Sequence, residues 1–320
     1  MNNMTAASPP QNFAKSLQRE IAACWRGLPD KWLFFLLLAG WLALFHFVGN
    51  STLGYVKTHS LFGWLNFVYT TTAEEGHGQI IPLVVLALFW WKRKKLLTVH
   101  KQPWWPAVGL VVAGLGLHYI GFVIQQTRVS VAGFFLGLYG LTGAVWGPRW
   151  LRASFFPFFL FVFCIPITTI FEPLTFHLRL WVASIVTGIG QLLGIDVIRD
   201  GTQLFNAQHT FGYDVAPACS GIRSLISLLA LTTIYGFVTF KSPWKRGLMM
   251  GLAIPLAVLG NVARISFVIV VAETLGQEAG LWVEQKFGFL TFAVAIVCML
   301  FLGRWLREQD AADQTPAASR

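Results

Sequence analysis

Charge is what this chain has least of. Only 12% of its 320 residues are Asp, Glu, Lys or Arg, against about a quarter in an ordinary soluble domain. That scarcity excludes a protein whose surface lies mostly in water. Carboxylates are scarcer than cations, 14 against 24, for a formal net charge of +10. In a soluble protein this excess would point to nucleic acid. Here the cations stand in short clusters between apolar runs, which is how membrane proteins mark the side that stays inside, so nucleic acid is not the partner they indicate. Cysteine is sparse too. Of the four, Cys24 lies near the N-terminus while Cys164 and Cys298 fall within apolar runs, which excludes a disulfide framework. Only Cys219 stands at the mouth of a run. The seven histidines show no ligand spacing, so neither a metal nor any other cofactor is indicated.

What the chain has in abundance is apolar surface. Hydrophobic residues make up 55% of it and the mean hydropathy is +0.61. Apolar runs of about twenty residues, the length needed to cross a bilayer, recur from Trp32 almost to the C-terminus and leave no stretch for a separate water-facing core. The partner surrounding most of the chain is therefore the lipid bilayer. The sequence divides into a loose cytoplasmic tail over residues 1–30, a transmembrane domain over 31–304 and a cytoplasmic C-terminal tail over 305–320. Lys15, Arg19, Arg26 and Lys31 precede the first run, but Trp32 to Val48 is longer than a signal-peptide core and lacks a small-residue cleavage site, which reads as a retained anchor.

Clusters of Lys and Arg orient the spans. Those expected are Trp32 to Val48; Gln79 to Trp91, ending on Lys92 to Lys95; Trp104 to Ile124; Val131 to Trp146, followed by Arg149 and Arg152; and Phe155 to Phe171. Beyond Cys219 come a span to Phe240 closed by Lys241, Lys245 and Arg246, one from Leu248 to Val271, and one from Phe289 to Leu302 closed by Arg304. The segment Leu174 to Ile195 is apolar enough to span, yet if it crossed, Cys219 would begin inside and the Lys241 cluster would end outside. It reads instead as an interfacial helix on the outer face, with His177, Ser184, Thr187 and Gln191 along one side. Between Asp196 and Ala216 short β-prone pieces are broken by Asp200-Gly201 and Asn206. The expected fold class is an all-α polytopic membrane protein of about eight transmembrane helices, with an outer-face interfacial helix and a small β-element before the cysteine.

This topology gathers the unusual chemistry on the outer face: Glu74, Glu75 and His77; His209 and Asp214; Cys219, Ser220 and Arg223; and Glu284. Asn261 and Arg264 lie deeper, in the string GNVARIS, and an intramembrane arginine marks a functional site by default. A thiol is a weak nucleophile until ionised. A guanidinium nearby and a position at a helix N-terminus both favour the thiolate, and Cys219 has the second and is offered the first by Arg264. Arg264 could also donate to the oxyanion formed when the thiolate attacks a peptide carbonyl. Glu284 is one candidate for the proton transfers and His209 or His77 are others. Arg223 either lines the same cleft and binds a substrate carboxylate or snorkels to the interface. A serine protease using Ser220 is a lesser option, lacking a matching His-Asp arrangement.

These strings carry a family resemblance. PACSGIRSLISLLALTTIYGF resembles the nucleophile motif of the exosortase and archaeosortase family, and GNVARIS its Asn-x-x-Arg motif one helix later. EEGHGQIIPLVVLALFWWKRKK is similar to the family's early segment, and FPFFLFVFCIPITTIFEPLTF with LLGIDVIRDG to its middle. The resemblance implies a multipass cysteine peptidase-transpeptidase of the cell inner membrane, acting toward the periplasmic or outer side. It implies as partners exported proteins bearing a C-terminal sorting signal, made of a short motif (Pro-Glu-Pro in the commonest bacterial case), a transmembrane helix and a basic tail, with a glycan or lipid as acceptor. It implies Cys219 and Arg264 as catalytic residues. The family's third catalytic position, usually His, falls on Glu284 within GLWVEQKFGFL, a departure from the pattern. That departure would suit a catalytically degenerate membrane scaffold; a transporter would also suit the span count, but the sequence shows no inverted repeat.

Overall fold

In the computed structural model, residues 13–52, 54–168, 171–206, 211–214 and 221–306 are described. The chain forms two compact units, one from residues 1–68 and 78–165, the other from residues 69–77 and 166–320.

The first unit is built of helices whose apolar faces and small residues pack closely. The segment expected to be a loose tail forms α1 (Phe13–Arg26), an amphipathic helix, followed by α2 (Lys31–Val48). The helix α3 (Leu61–Thr71) was not expected from hydropathy; its last residues and most of the 3₁₀ stretch over Ala73–Gln79 that follows it belong to the second unit. Next come α4 (Ile81–Thr98), α5 (Val108–Val123), entered through a 3₁₀ turn at Trp105–Ala107, and α6 (Thr127–Trp146). Glycines let α5 and α6 meet backbone to backbone: a Cβ on Gly114 would lie 2.7 Å from the Gly133 carbonyl oxygen, and one on Gly140 2.8 Å from the Val111 nitrogen. Small residues at a helix interface are the usual device where lipid supplies no hydrophobic drive. The Trp41 indole N–H donates to the Phe134 carbonyl at 3.1 Å, tying α2 to α6.

Two boundaries differ from the hydropathy reading. Lys92 to Lys95 lie inside α4, since a helix continues through its basic end as long as its backbone bonds close. The span expected over Phe155 to Phe171 is instead α7 (Pro148–Phe159) and a 3₁₀ turn at Leu160–Cys164. Pro157 sits inside α7 and Pro166 follows the turn. A proline removes a backbone donor and disfavours helix before it, which shifts the helix toward the N-terminus.

The second unit holds the unusual residues. Its α8 (Glu172–Leu192) buries a stripe of Leu178, Arg179, Val182, Ala183 and Val186 and turns His177, Ser184 and Gln191 outward. The expected β-element is a three-stranded antiparallel meander, β1 (Val197–Asp200), β2 (Gln203–Asn206) and β3 (Gly212–Asp214), pairing Ile198 with Phe205 and Leu204 with Tyr213. Then follow α9 (Gly221–Thr239), α10 (Pro243–Gly251), α11 (Ala253–Leu275), α12 (Gln277–Lys286) and α13 (Phe289–Trp305). The span expected over Leu248 to Val271 is thus two helices, with Leu252 between them. One core joins α8, the sheet, α11 and α12 through Val182, Val186, Leu204, Phe211, Val262, Ile265, Ile269 and Val283. A second, around Leu228, Met249, Leu256 and Met299, holds α9, α10, α11 and α13 together.

Among the described residues four helical stretches are long and apolar enough to cross a membrane: Lys31–Val48, Trp105–Val123, Thr127–Trp146 and Pro243–Leu275. Leu225–Thr239 and Phe292–Trp305 are shorter apolar helices. The other two expected crossings are α4, which carries its basic cluster within the helix, and α7 with its 3₁₀ extension. The architecture is that of an all-α polytopic membrane protein with a small sheet.

Candidate functional site

Arg264 is carried by α11 and Glu284 by α12, and a sharp reversal brings them together. Gly276 stands between the two helices with φ 89°, a conformation that a side chain strongly disfavours. Folding back there places an Arg264 terminal nitrogen, Nη2, 3.7 Å from Glu284 Oε1, with the two side chains 12% and 19% exposed. The separation is that of an ion pair rather than of a tight hydrogen bond. A guanidinium is a planar fork of five N–H donors and a permanent cation, the group best suited to holding anionic oxygens. Asn261 is buried on α11, three residues before Arg264 and on the same side of the helix.

The β-element is fastened to this helical hairpin. The Gly212 N–H donates to Gln277 Oε1 at 3.0 Å, the Gln277 amide returns a bond to the Gly212 carbonyl at 3.4 Å, and the Tyr213 hydroxyl donates to the Gln277 carbonyl at 3.1 Å. A further bond at 3.4 Å runs from the Asn206 amide to Glu273 near the end of α11. Gly280 leaves the room Tyr213 needs, because a Cβ there would run into the phenol oxygen. Burial raises the Tyr213 phenol above its ordinary value, and the negative charge of Glu284 adds to the rise. The phenol therefore belongs to the same electrostatic environment as the Arg264–Glu284 pair. Sequence reasoning missed Tyr213 and Gln277; a polar residue directly after a helix-terminating glycine was the available signal.

The other expected residues are distributed as follows. His77 lies in the 3₁₀ stretch, where its Nδ1 is 3.1 Å from the Glu74 carbonyl. Its neighbour Glu75, 3% exposed, accepts bonds from the Thr168 N–H at 3.0 Å and from the Thr168 hydroxyl, so it caps the segment leading into α8. Arg223 falls in the first turn of α9, which starts at Gly221, two positions past Cys219. Cys219, Ser220 and His209 lie outside the described residues. Among the described residues no group of three or more His, Cys, Asp or Glu side chains is placed to hold a metal ion.

Sequence reasoning also passed over Arg179. It is 8% exposed on the inward stripe of α8, its Nε is buried without a hydrogen-bond acceptor, and its guanidinium lies 5.6 Å from the centre of the Phe176 ring. The signal was the one that picked out Arg264, an arginine inside an apolar run.

These features define a class: a helical membrane protein with a largely buried Arg–Glu pair on a helical hairpin to which a small sheet is bonded and, in the same unit, a helix that starts two positions after a cysteine. The chain belongs to the transmembrane exosortase family, whose sequence profile matches residues 64–301. The match takes in the segment of His77, the nucleophile string, the Asn-x-x-Arg string and Glu284. No curated protein and no solved structure matches the chain.

Proposed function

We propose that the protein is a cysteine transpeptidase of the cell inner membrane that removes C-terminal sorting signals from exported proteins and passes them to a glycan or lipid acceptor, with its site toward the outer face. The observation that carries this reading is the meeting of Arg264 with Glu284 at 3.7 Å, in the unit where α9 opens two positions beyond Cys219.

The chemistry balances with these groups alone. Glu284 takes the proton of the Cys219 thiol, and the thiolate, favoured by the N-terminal end of α9 and by the guanidinium, attacks the scissile carbonyl. Arg264 donates to the oxyanion as it forms. Collapse breaks the C–N bond, and Glu284 returns its proton to the departing amine. The thioester then meets an acceptor hydroxyl or amine, or water, whose proton passes to Glu284. The new bond forms, and the thiolate leaves and is reprotonated. Asn261, beside Arg264 on α11, supports the guanidinium, while Arg223, Ser220, His77 and His209 line the approach for the signal peptide.

The test is mass spectrometry of surface-protein C-termini from cells carrying the parent, Cys219→Ala, Arg264→Ala or Arg264→Lys, with membrane levels of each variant measured. Cys219→Ala should abolish trimming. Both arginine changes should slow it by about 100- to 1,000-fold, the usual worth of an oxyanion donor, because an ammonium does not reproduce the guanidinium fork. Trimming that persists in Cys219→Ala overturns the enzyme reading.

A further inference from the structure

The first unit holds an apolar cavity of about 560 Å³, within the usual range of roughly 300–1,000 Å³ for a ligand site. Its wall includes Ile21, Cys24 and Leu28 of α1, Phe34 of α2, Phe89 of α4 and Trp146 of α6. The α1 residues recur at helical spacing, so this amphipathic helix lays its apolar stripe over the cavity. Arg93 of α4 keeps α1 there. Its Nη2 donates to Glu20 Oε2 at 2.5 Å, its Nη1 donates to the Trp90 carbonyl at 2.9 Å, and the guanidinium lies 4.3 Å from the centre of the Trp90 ring. Trp146 donates its indole N–H to the Pro29 carbonyl at 3.0 Å, which joins the end of α6 to the link between α1 and α2. Leu86, also in the wall, is 65% exposed on the apolar side of α4, so the cavity opens sideways toward the bilayer.

Cations surround this cavity. Arg19, Arg26, Lys31, Lys94, Lys95 and Arg149 each stand within three residues of a lining position, against the carboxylates of Glu20 and Asp30, and Glu20 is already paired with Arg93. Aromatic rings are interleaved with the cations, Lys31 lying 5.0 Å from the Trp25 ring and Lys101 5.7 Å from that of Trp150. Tryptophan beside Lys and Arg at the ends of spanning helices marks the membrane–water interface on the inner side. A basic amphipathic helix next to such a cluster is the arrangement that attracts anionic headgroups. Apolar wall and cationic rim together fit a molecule with a hydrocarbon chain and an anionic head. A free phosphate would leave the wall unmatched, and a second membrane helix with a basic tail would be repelled by the rim.

We infer that this cavity binds an anionic glycerophospholipid, one acyl chain lying along the apolar stripe of α1 and the phosphate meeting the exposed side chains of Arg26, Lys94 and Lys95. The site lies wholly within the first unit and is independent of the transpeptidase reading. The chain fills the space between α1 and the helices it covers, and the phosphate links the cations of α1 to those of α4. A ligand held by the folded unit alone stabilises it in proportion to its occupancy, so the lipid fastens the amphipathic helix to the membrane domain.

The experiment uses the full-length protein purified in detergent, with phosphatidylglycerol or phosphatidylethanolamine of the same acyl composition added. Phosphatidylglycerol should raise the midpoint of thermal unfolding and stay bound as a mass adduct in native mass spectra, and phosphatidylethanolamine at the same concentration should do neither. Arg26→Gln, Lys94→Gln and Lys95→Gln combined, which leave Lys92, Arg93, Arg149 and Arg152 to orient the chain, should weaken phosphatidylglycerol binding by about 100-fold, about fivefold for each cation removed. Leu38→Trp, which puts an indole into the cavity, should abolish the adduct. The Gln variant alters exposed side chains only, so it decides the question even where Leu38→Trp lowers the lipid-free midpoint. Equal retention of the two lipids overturns the inference, as does parent-like phosphatidylglycerol binding by either variant. A midpoint raised as far by inorganic phosphate as by phosphatidylglycerol would assign the cations to a free anion and overturn it as well.

Discussion

The two units spend their polar residues differently. In the first, the buried polar groups are mostly neutral and pair with one another: His118 meets the Ser130 hydroxyl at 3.1 Å, and Asn50 accepts from the Thr127 hydroxyl at 2.9 Å. Its helices are held by glycine contacts and by ring pairs such as Phe45 with Phe134 and Phe135 with Phe161. In the second, charge is drawn inside, as the Arg264–Glu284 pair, as Glu75 under Thr168 and as Arg179 against Phe176. Burying charge is costly, so a fold selected for stability alone would resemble the first unit.

The largest expected effect tests the second unit directly. Glu284→Gln keeps size and hydrogen-bonding capacity but cannot take up and return a proton, so accumulation of the Cys219 acyl-enzyme, followed as a covalent mass increase, should slow by about 100- to 10,000-fold. Glu284→His, which places the family's usual residue there, should retain activity. A Glu284→Gln enzyme that acylates at the parent rate would make the carboxylate a spectator and leave the pair a structural feature like those of the first unit.

A smaller effect, of a different kind, belongs to the first unit. In Gly133→Leu the new Cβ runs into the Gly114 carbonyl, forcing α5 and α6 apart. Overpacking of this sort costs about 1–3 kcal/mol, visible as a lower midpoint of thermal unfolding in detergent. Turnover per folded molecule should stay at the parent value, and a drop in it would break the division between packing and chemistry.

The smallest effect probes the fastening between sheet and hairpin. Tyr213→Phe removes the bond to the Gln277 carbonyl, worth about 1 kcal/mol. Its phenol is raised in the folded state, first by burial and then by Glu284. That contribution is fully present below the unfolded value of about 10 and is lost as pH rises toward the folded one. The parent should therefore lose stability above about pH 10 more steeply than Tyr213→Phe in matched unfolding curves. Parallel curves would remove Tyr213 from the environment of Glu284.

Much of this was open to reading in the sequence because it depends on local pattern. Apolar runs, the turn residues around Asp200-Gly201 and the approach to Cys219 yielded the helices, the meander and the start of α9. Arg264 and Glu284 were picked out one at a time, the first by the cost of its charge, the second by its place in a family string. Their contact was not legible, because it depends on how sharply the chain reverses at Gly276. The amphipathic α1 lies within the segment expected as a tail, because its charges lower the average hydropathy while the spacing of its apolar residues still forms a helix face. Arg179 was absorbed into an apolar segment judged by its average, in which one cation hardly shows.

By itself, then, the sequence determined the solvent, the class of fold and the types of reactive group, since each follows from the composition and period of short stretches. The tertiary structure alone decided which groups meet: that Gln277 clasps β3, that Glu284 faces Arg264, and that Arg179 turns inward with Phe176 beside it. The first two pairings join residues distant along the chain, and they exist only once the glycine turn and the packed helices hold them in place; the third follows from which face of α8 the packing turns inward.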